Sequence, residues 1–162
     1  MNNAKKITVA FTGHRSYDGS ADEELYALLQ RLYERGCRRF LSGMAWGFDL
    51  AAAVAVVRLK REKGDVELVA VEPYAGFRRL FSGDVAVLYD RVKALADEVV
   101  VVSGGRGSVA YMQRNDYLVD HANILVAWWC GRSRGGTAYT AKRAIAFGVE
   151  LYNLYPQQGV LF

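Results

Sequence analysis

Apolar residues fall along this chain in two alternating rhythms. Short, nearly unbroken runs rich in β-branched and aromatic residues are followed by longer segments with three- and four-residue spacing. Ile7 to Phe11 is the first such run, as a strand buried on both faces requires. From about Ala21 to Arg35 the period becomes helical. Leu25, Leu28, Leu29 and Leu32 form the stripe, Ser20 with Glu23 reads as a capping box, and Gly36 supplies the stop. Arg39 to Leu41 is a short second strand, and a helix from about Phe48 to Lys63 follows, closed by Gly64. Val66 to Val71 forms the third strand, which Pro73 is expected to break.

A loop from Tyr74 to Gly83 leads into a helix from about Asp84 to Ala96, with Val85, Leu88, Val92 and Leu95 as its expected buried face. Glu98 to Val102 is the fourth strand, and a Gly-rich turn opens a helix from about Val109 to His121. The strand Ile124 to Trp128 comes next. The turn Cys130 to Gly136 then opens a helix that reaches Phe147 and stops at Gly148, and Val149 to Leu154 closes the sheet. The pattern gives six strands alternating with five helices, without linker, repeat or low-complexity tract. It predicts one domain over residues 1–162, an α/β Rossmann-like fold. Its open, doubly wound, mainly parallel sheet has about six strands and helices on both faces. A (β/α)₈ barrel needs about 250 residues, so the length favours the open sheet.

Composition changes this picture little. The chain is 52% hydrophobic and 23% charged, an ordinary globular balance. A net charge of +4 suits a phosphorylated ligand but is too small to imply nucleic acid. Cys37 and Cys130 have no CxxC spacing, so neither a disulfide framework nor a metal site is expected. The opening Met1-Asn2-Asn3-Ala4-Lys5-Lys6 lacks the apolar core of a signal peptide, and no run approaches the ~20 residues of a membrane helix. The expected compartment is the cytoplasm. The apolar ending Val160-Leu161-Phe162 and the tandem Trp128-Trp129 point towards a homo-oligomer.

In a doubly wound sheet, ligands sit at the carboxyl ends of the strands, where the strand order reverses. Four strand-to-helix turns should face that edge. Thr12-Gly13-His14-Arg15 offers donors and a close-approach glycine, or equally a satisfied polar turn. Ser42 to Asp49 brackets small residues with Gly43 and Gly47 at a helix start, where free N–H groups attract anions. Asp49 either complements the helix dipole or accepts a ribose hydroxyl. Gly105-x-Gly107-x-x-Ala110 resembles a dinucleotide fingerprint, but no acidic residue ends the following strand. Gly131 to Thr137 lacks a P-loop lysine, yet its adjacent glycines, Thr137, Arg132 and Arg134 make a phosphate cradle. His121 reads as a helix cap.

Taken in order, Thr12-Gly13-His14-Arg15, Ser42-Gly43-x-x-x-Gly47-x-Asp49, Arg114-Asn115 and Gly135-Gly136-Thr137 resemble the YpsA-like branch of the SLOG superfamily, from Ile7 to about Leu154. That superfamily also holds the DNA-processing protein Smf/DprA and the "lonely guy" phosphoribohydrolases. The resemblance implies a site for a nucleotide or ADP-ribose-like ligand. It would be lined by Gly13, Arg15, Ser42, Gly43, Asp49, Arg114 and Asn115, with phosphate on Gly135, Gly136 and Thr137. The phosphoribohydrolases carry a catalytic Glu where this chain has Thr140, and a threonine cannot replace that carboxylate. Binding, as a sensor or regulatory module, is therefore the leading expectation. A nucleotide-processing hydrolase using Asp49 or His14 as acid/base, with Glu72 less suited, is the first alternative. Single-stranded DNA binding through Arg15, Arg106, Arg132 and Arg134 is the second.

Overall fold

Apolar on both faces, β1 (Ile7–Gly13) takes the middle of a six-stranded sheet in a computed structural model that describes residues 7–156. The Val160-Leu161-Phe162 ending lies outside the described residues. In chain order the elements are β1, α1 (Asp22–Glu34), β2 (Cys37–Ser42), α2 (Phe48–Lys63), β3 (Glu67–Tyr74) and α3 (Gly83–Leu95). They continue with β4 (Glu98–Ser103), α4 (Gly107–Asp120), β5 (Ile124–Trp128), α5 (Gly136–Ala146) and β6 (Glu150–Asn153). The sheet order is β4-β3-β2-β1-β5-β6 and every pairing is parallel. The fold is thus an open, doubly wound α/β fold of the Rossmann-like kind.

The period of two along β1 separates two cores. Val9 and Phe11 join the cluster built from α1, α2 and α3, including Leu25, Leu29, Phe48, Val56 and Tyr89. Ala10 faces the other way, with Leu118 and Val119 of α4 and Ala144 of α5. Both faces are therefore covered, which explains the unbroken apolar runs. The strand order reverses between β1 and β5, where Val9 pairs with Ile124 and Gly13 with Trp128.

Three local expectations are corrected. Ser20 and Glu23 form no capping box: Ala21 is the N-cap, and its N–H donates to the Tyr17 hydroxyl at 3.0 Å. The Ser20 N–H is already held by Asp18 Oδ1, so the tyrosine takes over the helix end. Pro73 does not break β3, which continues to Tyr74. Pairing with β2 ends at Ala70, so past that point β3 needs donors on the β4 side only. On α3 the buried face is Ala86, Tyr89 and Val92, while Val85, Leu88 and Leu95 are exposed. Tyr89 sets this rotation, because its ring stacks on Phe81 at 4.7 Å and its hydroxyl donates to the buried Glu72 carboxylate.

The shared aromatic centre under β1 and β2 gives a stability test. Phe40 is fully buried and stacks on Phe11 at 6.3 Å. Phe40→Ala is expected to cost about 3–5 kcal/mol, read as a lower urea midpoint at unchanged slope. A cost below about 1 kcal/mol would contradict this packing.

Candidate functional site

Each parallel strand ends by pointing its carbonyls and the following turn towards one edge of the sheet. At the reversal, β1 delivers Thr12 to Ser16 and β5 delivers Trp128 to Cys130, while α2 and α5 start beside them. The first two turns lock together through glycines. A Cβ on Gly13 would come within 2.4 Å of the Phe48 side chain. One on Gly47, which has φ +88°, would meet the Arg15 carbonyl at 2.6 Å. The His14 carbonyl accepts from the Phe48 N–H at 3.3 Å, completing the junction. Gly13 is thus dictated by the close seat of α2.

Around this edge lies a cleft of about 830 Å³. It is lined by Thr12 to Ser16, by Ser108, Tyr111, Met112, Arg114 and Asn115 of α4, and by Trp128, Cys130, Arg132 and Arg134. Gly135, Gly136, Thr137 and Tyr139, with Ala45 and Tyr155, complete the wall. Among the described lining residues there are four arginines and no Asp or Glu. No ion pair holds Arg15, Arg132 or Arg134 among the described residues; Arg15 lies 4.5 Å over the Trp46 ring. The charged side chains of the described lining are therefore all positive.

The last turn is the start of α5. Gly135 is its N-cap at φ +101°, and no side chain caps the helix, so the N–H groups of its first turn open towards the cleft. The turn itself is stapled. Trp129 Nε1 donates to the Arg132 carbonyl at 3.0 Å, and Lys142 Nζ to the Ser133 carbonyl at 2.8 Å. Asn153, at the end of β6, accepts from the Trp129 N–H at 3.1 Å and donates back to its carbonyl at 2.9 Å.

Ser42, Gly43 and Asp49 do not line the cleft but form a buried layer behind Arg114. Ser42 Oγ donates to the Asp49 carbonyl at 2.9 Å and accepts from the Met44 N–H at 3.2 Å, with Met44 at φ 66°. Arg114 Nη1 donates to the Gly43 carbonyl and Nε to Asn115 Oδ1 at 3.0 Å. A Cβ at Gly43 would sit 2.8 Å from Arg114 Nη1 and 2.9 Å from Asp49 Oδ2, so only glycine lets these charges flank the turn. Burial pushes the Asp49 carboxyl up to about 6, against the pull of Arg114 and the Ala45 N–H. The same burial lowers Arg114.

The remaining candidates separate cleanly. His14 lines the cleft, but its Nε2 accepts the Cys130 N–H at 3.0 Å, which fixes a neutral ring. Burial, then the nearby Arg132 charge, lowers its pKa. Glu72 is buried with Tyr89 and with Lys93 at 3.1 Å, away from the cleft. Thr140 is buried and donates to the Gly136 carbonyl at 2.8 Å. Of the third turn only Ser108 reaches the cleft, leaving the Gly105 fingerprint outside it. His121 caps α4 as expected, its Nδ1 2.9 Å from the Tyr117 carbonyl. Tyr139, Tyr155 and Met112 also line the cleft, beyond the residues that the motifs single out, and so does Cys130 at the start of the last turn. Tyr155 follows β6 at the same carboxyl edge, so the edge rule itself was the available signal.

Comparison with known proteins places this geometry in context. The YspA SLOG family profile matches residues 9–155. The uncharacterized SPbeta prophage-derived protein YoqJ of Bacillus subtilis is 31% identical over 151 residues, covering 83% of this chain and 86% of that protein. Among solved structures, DNA processing protein A of Streptococcus pneumoniae superposes with a TM-score of 0.69 at 20% identity. The match covers 96% of this chain but only 52% of that one, so the chain spans about half of the longer protein. DNA processing protein A of Helicobacter pylori, described for its single-stranded DNA binding mode, gives 0.66 at 15% identity, over 94% of this chain and 66% of that one. The molybdenum cofactor binding protein of Rippkaea orientalis gives 0.59 at 17%, over 91% and 76%. At these identities the structural likeness establishes the fold.

The buried carboxyl gives a pH test. Its pKa rises from 3.8 unfolded to about 6 folded. The protonated form is therefore favoured by folding: the contribution is full only below the unfolded value of 3.8 and is lost as pH rises from there through about 6. Relative to Asp49→Asn, the wild-type chain should lose about 2 kcal/mol of stability between pH 4 and 7. Urea denaturation of both proteins across that range checks this, and a pH-independent difference would contradict it.

Proposed function

The chain belongs to the YspA SLOG family, and from that premise we propose that it binds a nucleotide or ADP-ribose-like ligand at the carboxyl edge of its sheet, as a sensor or regulatory module. The observation that carries this reading is the uncapped start of α5 at Gly135-Gly136-Thr137, opening into an arginine-rich cleft with no carboxylate among its described lining residues. Helix N–H groups and guanidinium groups both favour phosphate oxygens, and charge-assisted hydrogen bonds are the strong ones. Phosphate rests on α5 with Arg132 and Arg134. Arg15 and Asn115 serve the rest of the ligand, and Tyr111, Tyr139 and Tyr155 offer ring faces and hydroxyls to a base or ribose.

Binding is favoured over hydrolysis by the placement of the carboxylates. Asp49 and Glu72 are buried in hydrogen-bonded layers, and the position of the phosphoribohydrolase glutamate holds Thr140, tied to its own helix. His14 spends Nε2 on the Cys130 N–H. A second reading, single-stranded DNA binding, draws on the H. pylori neighbour and on the arginines and aromatic rings of the cleft. It differs in requiring a steep loss of affinity with salt.

A thermal-shift panel of AMP, ADP, ADP-ribose, NAD and a short single-stranded oligonucleotide tests the proposal. A member at 100 times its Kd should add about 2.7 kcal/mol of stability. The double variant Arg132→Ala/Arg134→Ala should weaken that ligand by roughly 10- to 100-fold. With no carboxylate among the described lining residues to hold a divalent cation, Mg²⁺ should not strengthen binding. No shift with any nucleotide would overturn the proposal, and a response to the oligonucleotide alone would favour the second reading.

A further inference from the structure

The helix layer on one side of the sheet ends before the sheet does. α1 packs on α2 and α2 on α3, but β4 at the edge keeps its outward valines uncovered on that side. Val100 and Val102 pack into the α4 cluster, whereas Val99 and Val101, which alternate with them, are 42% and 46% exposed. Four consecutive valines with a free hydrogen-bonding edge, and no proline or lysine to blunt it, are a liability that proteins ordinarily cover. The other edge is managed differently. β6 has only four residues, with Glu150 paired to Arg35 at 2.8 Å.

α3 carries a second uncovered surface. Asp84, Leu88, Arg91 and Leu95 recur at spacings of four, three and four, a single stripe on the helix, and all are exposed. Leu88 is 37% exposed, Leu95 45%, and the neighbouring Val87 54%. Two other charges of this helix are used within the chain, Asp90 by Arg78 at 2.7 Å and Lys93 by Glu72 at 3.1 Å. Asp84 and Arg91 have no ion-pair partner among the described residues. Asp84 also suits the helix N-terminus, but that accounts for one charge and not for the apolar stripe.

We propose that α3 and the β4 edge form a two-fold interface with a second copy of this chain. The stripe is self-complementary. In an antiparallel crossing centred between Val87 and Leu88, Asp84 of each copy meets Arg91 of the other, and the apolar pair fills the centre. A two-fold axis requires this reciprocity, in which the same patch serves both sides. The axis also runs beside β4, so the two edge strands pair antiparallel and each Val99–Val101 face is covered by the paired helices. The ligand cleft opens at the β1/β5 reversal and contains none of these residues.

Sedimentation velocity across a concentration series reads the outcome, with far-UV circular dichroism melts confirming that each variant is folded. The wild-type chain should sediment as a dimer, and Leu88→Asp as a monomer. Asp84→Arg and Arg91→Asp should each raise the dimer dissociation constant about tenfold or more by placing like charges together. The double variant D84R/R91D should restore the wild-type value, which a merely local effect of either substitution would not do. A wild-type chain that stays monomeric at the highest concentration, or a dimer equally tight in all variants, would overturn the proposal.

Discussion

The parallel pairing of β1 with β5 is the constraint on which the rest of this molecule depends. Because the strand order reverses there, α1 to α3 cover one face and α4 and α5 the other, and the turn after β1 faces α4 and the start of α5 across a gap. That gap is the cleft. Its walls are set by packing that has nothing to do with a ligand: Phe48 against Gly13, the Arg15 backbone against Gly47, and Asn153 against Trp129. These junctions hold the free N–H groups of α5 and the Arg132 and Arg134 side chains at one edge, while the Asp49 carboxylate stays behind Arg114.

Behind the cleft, a buried polar layer replaces what would otherwise be apolar core. Asp49 and Arg114 sit on either side of Gly43, each destabilised by burial and attracted by the other. Such a pair is a poor source of stability, because desolvation of both charges offsets their attraction. Its effect is positional. Arg114 is fixed through the Gly43 carbonyl and through Asn115, so both side chains reach the cleft in one arrangement. Glu72 plays a similar part under α3, where it anchors Tyr89 and Lys93.

Much of this was legible in the chain, and the failures have physical causes. Strand runs and helix stops were clear because burial on both faces and glycine at positive φ leave strong marks; α2 and β5 fall where the pattern puts them. The buried face of α3 was not legible. Its apolar residues span more than one stripe, and a tyrosine reaching Glu72 decided the rotation, which periodicity cannot express. The cradle at Gly135 to Thr137 and the residues Gly13, Arg15, Arg114 and Asn115 come together at one cleft. Ser42, Gly43 and Asp49 were placed correctly in the fold but one layer too far forward. Spacing says which turn a residue occupies, and only packing says whether its side chain faces solvent or the inside.

Anion reception by the N–H groups at the start of α5 is the proposal on which the function rests. The most direct measurement is an amide ¹H–¹⁵N correlation spectrum recorded during titration with ADP. The largest shifts are expected at Gly135, Gly136 and Thr137, with smaller ones at Gly13 to Arg15 and Asn115, and none at Gly104 to Gly107. Shifts confined to the third turn, or spread over the exposed surface while the α5 amides stay fixed, would contradict it.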